Sequence, residues 1–97
     1  MSVSLSTHVL DTGAGRPAAG VRVGVMGPDG APVAGGETDA DGRLRLADEL
    51  DAGVYTLVFH PPSPFFRRVE LEIALDEGHY HVPLLISPYG CASYRGS

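Results

Sequence analysis

Apolar and polar residues alternate along this chain in short runs, and each run stops at glycine, proline or aspartate. That pattern leaves few folds open. Val3, Leu5, Thr7 and Val9 alternate with Ser4, Ser6 and His8, so a strand here has one apolar and one polar face. The alternation returns at Val21, Val23 and Val25, at 43–46, at 54–59, at 66–75 (with Val69, Leu71 and Ile73 on one face), at 79–86 and at 89–94. Residues 31–37 form a weaker strand because glycines interrupt them. Gly13-Ala14-Gly15-Arg16-Pro17, Pro28-Asp29-Gly30 and Asp39-Ala40-Asp41-Gly42 read as turns. Thirteen glycines and eight prolines leave little room for helix. His60-Pro61-Pro62-Ser63-Pro64 cannot be helical, since interior prolines remove donors and clash with the preceding turn. Asp48-Glu49-Leu50-Asp51 is at most a turn, stopped by Gly53. The expectation is an all-β sandwich of two four-stranded sheets. Pro83 falls inside a strand and predicts a bulge or a skipped ladder bond there.

Ninety-seven residues suit one domain with a modest core, and residues 1–97 read as a single unit that self-association would help stabilise. A net charge of −5 offers no basic face to nucleic acid and is repelled by an anionic membrane. No apolar run nears the roughly 20 residues of a membrane span. Residues 1–5 lack the basic start and apolar core of a signal peptide. The single cysteine, Cys91, permits no disulfide within the chain and fits a reducing compartment. The cytoplasm is therefore the expected location.

The polar faces carry the chemistry. His8 shares a face with Ser4 and Ser6, Arg43 shares one with Arg45, and His79 shares one with His81. If those faces meet, imidazoles and guanidinium groups line one polar hollow, which a face-to-face pair of dimers would enclose. Such a hollow suits attack of water on an amide-like carbonyl. A neutral imidazole is a competent base near pH 7. A nearby guanidinium keeps it neutral, holds a planar ureide and stabilises the oxyanion.

The stretch His79-Tyr80-His81-Val82-Pro83-Leu84-Leu85-Ile86-Ser87-Pro88-Tyr89-Gly90, followed by Tyr94-Arg95-Gly96-Ser97, resembles the 5-hydroxyisourate hydrolases, the enzymatic relatives of transthyretin. Ser6-Thr7-His8-Val9-Leu10-Asp11 and Thr38-Asp39-Ala40-Asp41-Gly42-Arg43 match the same family. The C-terminal tetrapeptide is the specific part, because transthyretin lacks it. The resemblance implies a transthyretin-like sandwich assembled as a homotetramer, with sites at the dimer–dimer interface. It implies hydrolytic opening of the six-membered ring of 5-hydroxyisourate in urate breakdown, without metal or other cofactor. His8, Arg43, His81 and Ser97 fall on the family's catalytic positions, and Tyr94, Arg95 and Gly96 on the tail that closes over the small-molecule substrate.

The chain departs from the family pattern at three places. Pro61-Pro62-Ser63-Pro64 stands where the family has a short helix, and the hairpin at Pro28-Asp29-Gly30 is trimmed. Cys91-Ala92-Ser93 replaces a tyrosine followed by small hydroxyl residues, which predicts a reshaped pocket and leaves another cyclic ureide open as substrate. Cys91 itself reads as a small packing residue, His79 as solvated, His60 as a loop residue, and Asp11, Asp39 and Asp41 as turn formers. Two rival readings compete. The middle of the chain is similar to the carboxypeptidase-regulatory-like and adhesin sandwiches, non-catalytic modules that do not account for His8, His81 or the tail. His79 and His81 on one face suit a metal, as in the intradiol dioxygenases, but the tyrosine ligands and chain length of those enzymes are missing.

Overall fold

The computed structural model describes residues 2–96. In chain order the strands are β1 (Val3–Asp11), β2 (Arg16–Pro17), β3 (Arg22–Met26), β4 (Pro32–Glu37), β5 (Arg43–Leu50), β6 (Gly53–His60), β7 (Val69–Leu75), β8 (Gly78–Ile86) and β9 (Cys91–Ser93). No helix occurs among the described residues, and the proline-rich segment after β6 is an irregular loop. Ser63 organises that loop. Its hydroxyl accepts from the backbone N–H groups of Phe65 and Phe66 and donates to the Pro88 carbonyl 3.0 Å away, tying the loop to the β8–β9 turn.

Two sheets face each other. One runs β4-β3-β6-β7, antiparallel throughout. The other is built on β1, which pairs in parallel with β8 on one side and antiparallel with β5 and β2 on the other, while β9 closes the far edge of β8. The second sheet thus counts five strands rather than four. Arg16 and Pro17, read from sequence as part of a turn, pair with Asp11 and Leu10 as a two-residue strand. Residues 48–50 extend β5 instead of forming a turn, because two irregularities, one at Leu46 and one between Ala47 and Leu50, re-align the strand so that Leu50 pairs with Val3.

The alternation sorts the side chains as the period of two requires. Val3, Leu5, Thr7 and Val9 on β1 point inward and meet Val23, Val25, Tyr55, Leu57 and Phe59 of the opposite sheet, with Leu84 and Ile86 beside them. Burying each large apolar side chain contributes about 1.5–3 kcal/mol. Thr7 is the polar exception in this layer. Its hydroxyl donates to the Val82 carbonyl at 2.7 Å, which removes the desolvation penalty and fastens β1 to β8.

Pro83 lies in β8 without disturbing the β1 ladder, which runs unbroken from Val3↔Gly78 to Asp11↔Ile86. The interruption is on the other edge. Pairing with β9 stops at Leu84↔Ser93 and resumes as a single bridge, His81↔Gly96. Since the His81 carbonyl accepts from the Gly96 N–H, the missing N–H of Pro83 faces the same edge. Ser93 uses its hydroxyl there instead, donating to the Pro83 carbonyl at 2.8 Å.

Candidate active site

The outward face of the larger sheet carries the polar residues in rows. Register places His8 opposite Arg43 on β5 and opposite Pro83 on β8. One step along, Ser6 lies opposite Arg45 and His81, and the row continues through His81 to Gly96. A further step brings Ser4 opposite His79. Neighbouring strands stand roughly 4.8 Å apart, so side chains in adjacent rows reach one another. Three segments distant in sequence are thereby brought to one surface.

A tight turn sets Arg43. Gly42 has φ +74°, and a Cβ there would come within 2.5 Å of the Val9 carbonyl oxygen, so the position demands glycine. The Asp39 carboxylate accepts from the backbone N–H groups of Asp41 (2.9 Å) and Arg43 (3.0 Å). The Val9 N–H donates to the Gly42 carbonyl at 2.8 Å, pinning the turn to β1. Beneath it the buried Thr38 hydroxyl donates to the Ala18 carbonyl and accepts from the Val21 N–H. His8 completes the arrangement, its Nε2–H donating to the Asp41 carbonyl at 2.8 Å. A carbonyl only accepts, so the proton of a neutral His8 sits on Nε2 and its lone pair on Nδ1.

His81 is held through Ser6, whose Oγ lies 2.8 Å from His81 Nδ1 and 3.0 Å from His79 Nε2. Ser4 Oγ lies 2.6 Å from His79 Nδ1. Both nitrogens of His79 are therefore engaged, while the residue is exposed, as its reading as solvated expects. Burial first, then the positive field of Arg43 and the neighbouring His8 and His79, push the His81 imidazole below the usual histidine range. The hollow in front of these groups has a volume of about 470 Å³ and is lined by Ser6, Asp39, Arg43, Arg45, His79 and His81 among others. That volume accommodates a small planar heterocycle.

The tail is divided. Gly96 packs flat on His81, and a Cβ there would lie 2.7 Å from the imidazole Cδ2. Arg95 turns to the other face of the sheet and lays its guanidinium over the Tyr80 ring, 4.1 Å from the centroid. Tyr94 and Arg95 line a separate hollow of about 350 Å³ with Glu70 and Glu72. Ser97 lies outside the described residues. The structure therefore brings His8, Arg43, His81 and Gly96 together and leaves Tyr94 and Arg95 apart from them.

Cys91 is exposed, not packed. It pairs with Ile86, five residues along β8 from His81, and does not line the histidine hollow, so the expected reshaping of the pocket has no structural basis there. Ser6, His79 and Asp39 were not singled out from sequence as site residues. The signal for the first two was their shared parity with His8 and His81. Among the described residues, no group of three or more His, Cys, Asp or Glu side chains is placed to hold a metal ion.

Two facing sheets with this strand order define a transthyretin-fold sandwich. The fold is similar to that of Klebsiella pneumoniae 5-hydroxyisourate hydrolase, with TM-score 0.88 and 37% identity, covering 98% of this chain and 99% of that one. It is also similar to sea bream transthyretin in complex with thyroxine, with TM-score 0.85 and 31% identity over 95% of this chain and 93% of that one. A sequence model of the HIUase/Transthyretin family matches residues 5–96, and the chain belongs to that family. A 5-hydroxyisourate hydrolase of Caulobacter vibrioides is 44% identical over 112 aligned residues, covering 96% of this chain and 97% of that protein.

Proposed function

We propose that this protein hydrolyses 5-hydroxyisourate, opening its six-membered ring at the cyclic amide in urate breakdown. The observation that carries the reading is the meeting of His81, His8 and Arg43 on one face, with His81 and Arg43 lining a hollow of ligand size. The 5-hydroxyisourate hydrolases among its relatives, similar along their whole length, support the substrate.

The chemistry follows from the proton inventory. When His81 Nδ1–H donates to Ser6 Oγ, the free lone pair of the neutral ring is on Nε2, and a lowered pKa favours that neutral ring at pH 7. His81 removes a proton from water as the water oxygen bonds to the amide carbon. Arg43 polarises the carbonyl and stabilises the tetrahedral oxyanion. The C–N bond then breaks, and the proton is delivered to the leaving nitrogen. His8, with its lone pair on Nδ1, orients the water or shares the proton transfer. Ser97, which lies outside the described residues, is taken as the fourth catalytic residue on the family resemblance. Gly96 leaves His81 room, while Tyr94 and Arg95 act by seating the tail, Arg95 through its stack on Tyr80.

We further take residues 1–97 as one domain that assembles as a homotetramer, its sites completed where two dimers meet and its only other partner the small-molecule substrate. A cytoplasmic location fits the single exposed cysteine. The direct test generates 5-hydroxyisourate in place from urate with urate oxidase and follows its decay. Acceleration by this protein, lost in His81→Ala, is the expected result. A folded wild-type protein that leaves the decay rate unchanged removes the substrate assignment.

A further inference from the structure

One line of hydrogen bonds at the site is not used by the hydrolytic steps. It runs His81 Nδ1, Ser6 Oγ, His79 Nε2, His79 Nδ1, Ser4 Oγ, with separations of 2.8, 3.0 and 2.6 Å between the residues. His81 is half-buried, whereas His79 is exposed, so the line leads from the hollow to solvent.

We propose that Ser6 and His79 are positioning residues that, with Ser4, form a proton wire from His81 to the surface. The proposal rests on the hydrolytic reading above and adds the route by which protons leave. A serine hydroxyl has one proton to give and lone pairs to receive, and a neutral imidazole donates through one nitrogen while accepting through the other. The line therefore has two complete arrangements. In one, His81 Nδ1–H donates to Ser6, Ser6 donates to His79 Nε2, and His79 Nδ1–H donates to Ser4. In the other, every bond is reversed. The positive field of Arg43 in the hollow disfavours a proton on the inward nitrogen of His81, so the first arrangement is the resting one, with the Nε2 lone pair ready.

The reaction releases one proton per turnover, and the wire gives it a path to solvent. Water brings two protons across the amide: one ends on the leaving nitrogen, and the other is lost from the new carboxyl group at pH 7. That second proton passes to His81 Nε2. His81 gives its Nδ1 proton to Ser6, Ser6 gives its own to His79 Nε2, His79 gives its Nδ1 proton to Ser4, and Ser4 releases one to solvent. Each group gains one proton and loses one, which leaves the line in its reversed arrangement; turning of the two imidazole rings and the hydroxyls restores the first before the next turnover. Of the other groups near His81, none continues a hydrogen-bonded line from it to solvent among the described residues. Arg43 and Arg45 on β5 do not deprotonate. The Asp39 carboxylate accepts two backbone N–H groups through Oδ1, and His8 on β1 donates its Nε2–H to the Asp41 carbonyl; among the described residues no hydrogen bond joins either side chain to His81. Gly96 brings no side chain.

The test uses the full chain labelled with 15N-histidine, in wild type, Ser6→Ala, Ser6→Thr and His79→Ala. Long-range proton–nitrogen spectra report which nitrogen of His81 is protonated, without substrate. The expected result is an Nδ1-protonated His81 in wild type and Ser6→Thr, and a shift toward the Nε2-protonated form in Ser6→Ala. With 5-hydroxyisourate, kcat falls about tenfold in Ser6→Ala and His79→Ala at unchanged KM. Added imidazole restores His79→Ala and leaves wild type unchanged. A His81 tautomer unaltered by Ser6→Ala overturns the wire whether or not the substrate is correct. Wild-type kcat in both Ser6→Ala and His79→Ala overturns it too.

Discussion

His81 concentrates the chemistry of this molecule in one ring. Its neighbours work in the same direction: burial and the Arg43 guanidinium both oppose protonation, so the base is available where an unperturbed histidine would already be partly charged. The sign of the pH dependence follows. The active form is neutral, so kcat/KM falls as pH drops through the His81 pKa, and this acid limb lies below 6.5. In Arg43→Gln the limb moves upward, because one of the causes of the depression is gone, although burial remains. A pH–rate profile of the two proteins checks the shift. Replacing either imidazole, in His81→Ala or His8→Ala, lowers kcat by roughly 10²-fold or more with the far-ultraviolet spectrum unchanged. At Gly96 a single methyl group is enough to matter. Gly96→Ala places carbon against the His81 ring and lowers kcat through displaced imidazole or displaced tail, measurable by steady-state kinetics.

At the scale of the element, the 38–43 turn links fold to function. Its aspartate, its glycine and its buried threonine each fill a defined role, and Arg43 emerges from it already beside His8. Gly42→Ala combines a positive φ with a clash against the Val9 carbonyl, and is expected to reduce the unfolding free energy by about 2–4 kcal/mol in a denaturant titration. This turn was legible from sequence, because Asp-x-Asp-Gly has a local mechanism. The irregularities in β5 and the two-residue β2 were not. The irregularities fit residues 43–50 of β5 against residues 3–8 of β1, and β2 takes up the Leu10 and Asp11 positions that β5 leaves unpaired, which only the assembled sheet reveals. Pro83 was legible as an interruption, but the edge it interrupts depends on which strand lies on which side.

For the whole molecule, the exposed His8–Arg43–His81 face is the surface on which assembly would act. Expulsion of water strengthens the guanidinium–oxyanion attraction, so an enclosed site is a better catalyst than an open one. Light scattering on purified protein is expected to give a mass four times that of the chain. Activity per chain is expected to fall on dilution below the dissociation range. A monomer active at full rate at all concentrations would remove the assembly from the mechanism.

Alternation, turn residues and the residue types at positions 8, 43, 79 and 81 were written in the linear chain, because a period of two and the demands of a turn act over a few neighbouring residues. The parallel pairing of β1 with β8 was decided only in three dimensions. It joins segments some 75 residues apart and puts Ser6 between two imidazoles, while the bridge of Gly96 to His81 leaves Arg95 on Tyr80, away from the face its tetrapeptide was expected to serve. Register between distant strands is set by how whole sheets bury their apolar faces, a property that no short stretch of sequence contains.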